Sequence, residues 1–553
     1  MSAVPVASVP VAVVGGGPVG LATSVALSRW NVPHVVLERH PGTAIHPKAR
    51  GVDVRTMEVF RRWGIERAVR RAGLPAGEHG FFFRGPTLTS PEFERFGGGG
   101  LAAESRALSP TGWLVIGQDA LEPVLLRATR RLGPADVRFG HEVVEVVPRA
   151  HGAEVTVRDR STGRDYGLRA SYVVAAEGAG SRTREALGIG LVGRGPLVRN
   201  SSILFRADLS AEIADRRSAV YYLTAGETGR PRGYPMSVGN PPPFGALLAI
   251  NNRDRWLLVV GHADDDAGVP EGSAAVDLVR RAVGRPDLPV DVLNVMAWTP
   301  AARVAERYRD GPVFLAGDAA HEMTPSGAFG LNVGIQDAEN VGWKLAAVLA
   351  GWGGPRVLDS YDGERRPIAR RAAEESYRQF SGERPPRPFG NWGIILGGAY
   401  EDGAIVPDGS PPPDLADPAI DYVPIARPGH RLPHVPVGRR SDGRSILDLC
   451  GPEFTLLAMT ADWERAGKGL AALDLNGRSS DARRPPLEVR ALADSVAPTR
   501  LAEVGRMLEL GDRGAVLVRP DGVVGWRAAD PAAGGQVPSA RLLARVLRRL
   551  AGR

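Results

Sequence analysis

Cysteine is almost absent from this chain: Cys450 is the single one in 553 residues. One thiol excludes an intramolecular disulfide, a thiolate-held metal cluster and dithiol exchange, and it fits a reducing compartment. Lysine is nearly as scarce, with only Lys48, Lys344 and Lys468, so the formal net charge of +7 is carried by arginine. Those arginines alternate with acids along the chain instead of collecting in one tail or stripe, which argues against a nucleic-acid footprint. No run approaches the ~20 apolar residues needed to cross a bilayer. The opening MSAVPVASVPVAVV carries no basic residue ahead of its apolar stretch. A cytoplasmic protein without membrane or nucleic-acid partners is therefore expected. Groupings of His, Cys, Asp and Glu at metal-ligand spacing are missing, as are a P-loop and a Gly-x-Ser-x-Gly turn, so no metal site is expected.

What is present is an α/β chain. With 43% hydrophobic residues it can bury sizeable cores and divide into domains. The run VPVAVV (9–14) leads at once into GGGPVG and then LATSVALSRW at helical spacing, and HVVLERH closes a strand-turn-helix-strand unit. Gly15, Gly17 and Gly20 form GxGxxG between that strand and helix, with Pro18 at the helix start. Such glycines allow a tight turn, backbone approach to a pyrophosphate and close helix-strand packing, while the helix N-terminus offers free N–H groups. Glu38 ends the second strand 18 positions beyond Gly20, where an acid can accept hydrogen bonds from ribose hydroxyls. Dinucleotide binding is predicted, without a choice between FAD and NAD.

Around 300 residues later the rhythm returns in GPVFLAGDAAHEMTPSGAFGLNVGIQDAENVGWKLA. A strand delivers Asp318 into a turn, and a loop with Pro325, Gly327 and Gly330 opens a helix near Leu331. An acid at a strand end suits a ribityl chain, and a helix N-terminus suits a ring that becomes anionic on reduction. That second site favours FAD. His321, just beyond, reads as a structural histidine.

Elsewhere, TMEVFRRWGIERAVRRAG (56–73) predicts an amphipathic helix broken at Gly64, and 119–133 another helix. Residues 75–115 read as loops and short strands. Segments AVYYLT, FGALLAI and RWLLVVGH within 200–298 predict an antiparallel sheet, with Trp256, Trp298, Tyr221 and Tyr222 as core aromatics or the lining of an aromatic pocket. A long helix is expected over 336–351. The division expected is 1–190 with 296–385 as the nucleotide domain, 191–295 as a middle substrate domain, 386–435 as a Pro/Gly-rich linker and 436–553 as a smaller α/β domain.

Both long motifs, and the sequence between them, resemble the class A flavoprotein aromatic hydroxylases, the para-hydroxybenzoate and phenol hydroxylase family. The resemblance runs over essentially the whole chain and is nearest to bacterial hydroxylases of aromatic polyketides. It implies a Rossmann-like FAD-binding domain, an antiparallel-sheet substrate domain and a C-terminal thioredoxin-like domain. Carried over by position, Gly15, Gly17, Pro18, Gly20, Glu38 and Arg39 would hold the ADP half of FAD, and Asp318 the ribityl chain. Pro325 to Gly330, Leu331 and Asn332 would lie beside the isoalloxazine, with Pro325 and Arg50 at the reacting ring. HPKARGVDVRTMEVF carries Arg50 and places Arg55 at a structural turn; Gln118 would approach the phosphates or ribityl chain.

The same resemblance implies that NAD(P)H, NADPH favoured, meets the chain transiently and reduces FAD. Oxygen then forms a flavin C4a-hydroperoxide that hydroxylates an aromatic, polycyclic polyketide. Baeyer–Villiger insertion, inactivation of an aromatic antibiotic, and flavin binding without oxygenase activity stay open as alternatives. The third segment, with PGHRLPHVPV and GAVLVRPDGVVGWR, is expected to serve packing or a homodimer. Two departures stand out. Glu177-Gly178 replaces the family's Asp-Gly, and Thr324 and Ala328 replace a proline and a glycine in the flavin loop. The Cβ at residue 328 is tolerable if φ stays negative.

Overall fold

The structure is a computed structural model. It describes residues 7–75, 78, 82–96, 99–224, 245–262, 268–385, 387, 390–437, 443–470, 483–529 and 537–553. Strand Ala7–Val14 lies in parallel between His34–Glu38 and Arg164–Ala175. Ala135–Phe139 and Val313–Leu315 extend the parallel sheet on either side. Its strands read as continuous β-branched runs because both faces are covered, and Val11, Val13, Val36 and Val174 are wholly buried. An antiparallel meander, His141–Arg149 with Gly152–Asp159, folds back onto Arg164–Ala175.

Two helices from distant parts of the sequence pack face to face on this sheet: Pro18–Arg29 and the long helix Phe329–Leu349. Small residues make the approach close. A Cβ on Gly334 would stand 2.6 Å from Val19 Cγ2, and one on Gly342 would stand 2.6 Å from Ala26 Cβ. The long helix begins at Phe329, close to the start near Leu331 read from the loop motif and ahead of the 336 from which a long helix was expected. Gly64, at φ +71°, separates Val54–Arg62 from Glu66–Ala72 at the break read from the sequence.

The middle sheet has seven strands in the order Asp291–Trp298, Asn200–Arg206, Arg255–Gly261, Gly245–Ala249, Val220–Leu223, Phe82–Gly85, Glu94–Phe96. All its pairings are antiparallel except Val220–Leu223 with Phe82–Gly85. The sheet thus reaches outside 191–295 and recruits two strands from the region read as irregular. That region also holds a helix, Gly99–Leu108, which no apolar periodicity announced. Residues 97–98 of the GGGG run lie outside the described residues. Ile203, Phe205, Tyr221, Leu247, Trp256 and Leu258 pack one face against helix Ser273–Val283. Alternation puts Leu204, Leu257 and Val259 on the other face, with Leu248, Ile250, Trp298 and Phe380 of helix Arg356–Ser381.

Within the segment expected as a linker, parts are tied to the rest of the chain. Trp392 donates to Glu104 Oε2 at 2.9 Å, and Ala404 N–H donates to Glu364 Oε1 at 2.8 Å. Beyond it lies a four-stranded sheet in the order Leu487–Ala491, Phe454–Ala458, Ala515–Val518, Val524–Ala528. Its first pairing is parallel and the other two antiparallel. Helix Ala540–Leu550 sets Leu543, Leu547 and Leu550 into the core. Among the described residues, no helix is long and apolar enough to cross a membrane.

Candidate cofactor site

The glycine turn shows three different uses of a missing side chain. Gly15 sits at φ +102°, and a Cβ there would come within 2.4 Å of the Ala176 carbonyl oxygen. A Cβ on Gly20 would collide with the Gly15 carbonyl oxygen at 1.9 Å, so the helix can start here only with glycine. At Gly17, by contrast, a Cβ would meet nothing within 4 Å: this side of the turn is open. The first intrahelical bond runs from Leu21 N–H to Gly17 O at 2.9 Å, which leaves the N–H groups of the first turn facing that opening. Pro18 at the helix start has no N–H to waste.

Glu38 is held beside the turn, its Oε2 accepting from Gly16 N–H at 2.6 Å and its Oε1 from His40 N–H at 2.8 Å. Each oxygen keeps a lone pair for a ribose hydroxyl. Arg39 follows with an exposed side chain. Gln118 donates to Glu122 Oε1 at 2.7 Å, and Glu122 Oε2 accepts from Ala44 N–H at 2.5 Å, so this pair pins the loop that leads to Arg50. Burial raises the Glu122 carboxyl above its ordinary value.

At the second segment, Asp318 leaves strand Val313–Leu315 on a short 3-10 turn and keeps an exposed surface although protein surrounds it, as on a cleft wall. That setting raises its carboxyl above the ordinary range against the pull of His321 and Lys48. A Cβ on Gly330 would lie 4.0 Å from Asp318 Oδ1, so the acid and the start of the long helix face one another. Pro325, Gly327, Gly330 and Leu331 are all partly exposed along this rim. His321 is structural: its Nε2 meets Asp337 Oδ2 at 2.8 Å, fully buried. Asp337 also accepts from Gly317 N–H at 3.2 Å and Arg365 Nε at 2.8 Å, and so fixes the turn that carries Asp318.

Asn332 does something the sequence did not foretell. Its side chain is consumed by protein, accepting from Asp53 N–H at 3.0 Å and donating to Gly51 O at 3.0 Å and Ala328 O at 2.6 Å. It joins the Arg50 segment to the flavin-loop segment. Arg50 itself is buried and turned toward the middle sheet, donating to Ala219 O at 3.2 Å and to Ala249 O. Asn332 thus ties the two segments together, and Arg50 reaches from that junction to the middle sheet.

Three positions need correction or addition. Ala328 is in the left-handed region (φ +57°, ψ 36°), so the negative φ that would make its Cβ harmless is not adopted. The Asn332 bond to its carbonyl and the following helix start hold it there. Glu177 turns away from the cleft to cap helix Arg182–Ala186, accepting from Ser181 Oγ at 2.6 Å and Thr183 N–H at 3.3 Å. Lys48, missed in the sequence, is exposed on the same loop, near enough that its charge lowers both Asp318 and Glu122. Its rarity as one of three lysines inside the HPKAR segment was the available signal.

The residues present fit FAD: an open glycine turn beneath a helix N-terminus for the pyrophosphate, Glu38 for the ribose, and Asp318 opposite a second helix N-terminus for the ribityl chain and ring. Comparison with known proteins agrees. Residues 8–376 match the family described as FAD binding domain, and residues 426–553 match aromatic-ring hydroxylase, C-terminal. A putative polyketide hydroxylase of Streptomyces halstedii is 41% identical, over 95% of this chain and 94% of the relative. The structure of the flavin-dependent monooxygenase PieE, in complex with FAD and substrate, superposes with a TM-score of 0.85 at 32% identity, covering 99% of this chain and 100% of that one. A ternary complex of aklavinone-11 hydroxylase with FAD and aklavinone gives a TM-score of 0.82 at 31% identity, covering 99% of each chain. On this evidence the chain belongs to the FAD-binding aromatic-ring hydroxylases.

Proposed function

We propose that the protein hydroxylates a polycyclic aromatic polyketide, using FAD, O2 and NAD(P)H, with NADPH preferred. The observation that carries this is the joining of two distant segments, through Asn332 to Gly51 and Asp53 and through the packing of helix Pro18–Arg29 on the long helix. Relatives along the whole length that act on aromatic polyketides support the substrate class. Bound FAD, once reduced, supplies an activated oxygen atom from O2. The chain's own part is to bind, orient and keep water out.

The Gly17–Gly20 turn and helix N-terminus would take the pyrophosphate, with Glu38 and Arg39 at the ADP end and Lys48 and Gln118 nearby. Asp318 would orient the ribityl chain, and the N–H groups near Gly330 and Leu331 would stabilise negative charge on the ring. Pro325 and Arg50 would stand at the substrate side of that rim. The aromatic substrate would lie beside the sheet face that carries Leu204, Leu248, Leu257, Val259 and Trp298, opposite the face covered by helix Ser273–Val283. NAD(P)H is assigned to a transient encounter, because one glycine-turn unit is already committed to FAD.

Strand order supports a thioredoxin-like reading of the C-terminal unit, but not redox work by it. Its Cys450 is buried, which pushes the thiol up to about 12. The decisive measurement is FAD uptake, followed by incubation with NADPH, O2 and a tetracyclic phenol. Gain of one oxygen atom by the phenol is expected. Protein that takes up no FAD, or that consumes NADPH without oxygenating any polycyclic phenol offered, would overturn the proposal.

A further inference from the structure

The C-terminal hairpin from Ala515–Val518 to Val524–Ala528 turns through Arg519, Pro520, Asp521 and Gly522, with Gly522 at φ +75°. Its tip is set between the two helices that leave the cofactor segments. The Asp521 main-chain carbonyl accepts from Arg55 Nη2 at 2.7 Å, on helix Val54–Arg62. The Asp521 carboxylate accepts from Asn340 Nδ2 at 3.0 Å and Trp343 Nε1 at 3.2 Å, on the long helix. Arg519 braces the tip, bonded to both Asp521 and Glu364. From the same unit, Arg431 Nε reaches Glu58 Oε2 at 2.8 Å, and Glu58 in turn pairs with Arg55 at 3.2 Å. Every one of these groups is buried.

The two helices are therefore tied together at two levels. At the cleft, Asn332 of the long helix bonds Asp53, which caps the other helix. Asn340 lies eight residues further along the long helix, about 12 Å at a rise of 1.5 Å per residue. There the hairpin tip fills the gap between the helices with polar contacts that hold only at one separation. Close-packed helices transmit displacement along their length rather than absorbing it.

The geometry points to Asp521 as a positioning residue: the C-terminal hairpin sets the spacing between the long helix, whose N-terminus would face the flavin, and helix Val54–Arg62, which follows the Arg50 segment, so cofactor affinity depends on a side chain that never touches the cofactor. This rests on the reading of the cleft as the FAD site. The alternative is that the tip is glue alone, adding stability without shaping the cleft.

Two variants separate these. Asp521→Asn keeps the size but presents an amide to the donors of Asn340 and Trp343. Val516→Ala, in the core of the C-terminal unit, weakens that unit without touching either helix. Hydrogen exchange of the apoprotein and fluorescence titration with FAD are read on both. Asp521→Asn should speed exchange in 51–56 and 330–335 and weaken FAD binding about tenfold, while Val516→Ala leaves both readouts at wild-type values. Unchanged FAD affinity in Asp521→Asn, or the same losses in Val516→Ala, overturns the proposal. Should Asp521→Asn fail to fold, Arg55→Lys, which loses the reach to the Asp521 carbonyl, decides on the same criteria. Wild-type protein without FAD affinity would instead sink the functional reading, and the exchange data would still decide whether the tip positions the helices.

Discussion

Ala328 carries a cost that its family's usual glycine would not. A non-glycine residue in the left-handed region is strained by roughly 1–2 kcal/mol, and glycine returns part of that as unfolded-chain entropy. Ala328→Gly should therefore raise stability by a net of about 0.5–1 kcal/mol, visible as a higher thermal midpoint. The glycine turn makes a sharper contrast. Gly17→Ala should fold normally, because its Cβ meets nothing, yet weaken FAD binding at least about tenfold by filling the open side. Gly20→Ala should destabilise the fold itself by about 3 kcal/mol or more, since its Cβ strikes backbone. Urea unfolding and FAD titration of the two variants distinguish a ligand-side glycine from a packing one. Equal behaviour would mean the turn is misassigned.

At the scale of elements, the pairing of helix Pro18–Arg29 with the long helix is what turns two motifs into one site. Gly342→Val would push a branched side chain into Ala26, from which even a Cβ stands 2.6 Å away. The expected loss is about 1–3 kcal/mol, with weaker FAD binding although residue 342 is remote from the cleft. The sequence displayed these helices, their glycines and the break at Gly64. It did not display Asp337, Asn340 and Lys344 as buried polar residues, although polar side chains on an otherwise apolar helix were a readable sign. Nor did it announce that Phe82–Gly85 pairs in parallel with Val220–Leu223, because a two-residue period says nothing about which distant strand is the neighbour.

For the whole molecule, buried ion pairs bind the C-terminal unit to the nucleotide unit, and this gives stability a pH dependence. Burial would raise the Glu58 carboxyl, but Arg431 and Arg55 more than offset it and bring it down to about 2, against an ordinary 4.5. A group that binds its proton less tightly in the fold contributes stability in full above about pH 4.5, and loses it as pH falls toward 2. That difference is worth on the order of 3 kcal/mol. Wild-type protein should lose stability steeply across this window in urea unfolding, and Glu58→Gln should lose less. Removing one partner of the seam is costly too. Arg519→Ala removes the guanidinium shared by Glu364 and Asp521, leaving Glu364 with Lys344 and Asp521 with neutral donors only, and should cost about 3 kcal/mol, giving a marked fall in the unfolding midpoint.

The sequence by itself determined the chemistry that could be performed: glycines where backbone must approach a phosphate, acids at strand ends, and a lone thiol without a partner for exchange. These are local facts, set by side-chain size and by spacing within one element. Only the tertiary structure decided which distant pieces meet. Asn332 is spent on joining two segments, Arg50 faces the middle sheet, and a hairpin nearly 200 residues beyond the flavin loop is wedged behind the cleft. Such contacts follow from packing complementarity between elements, which no short stretch of chain encodes.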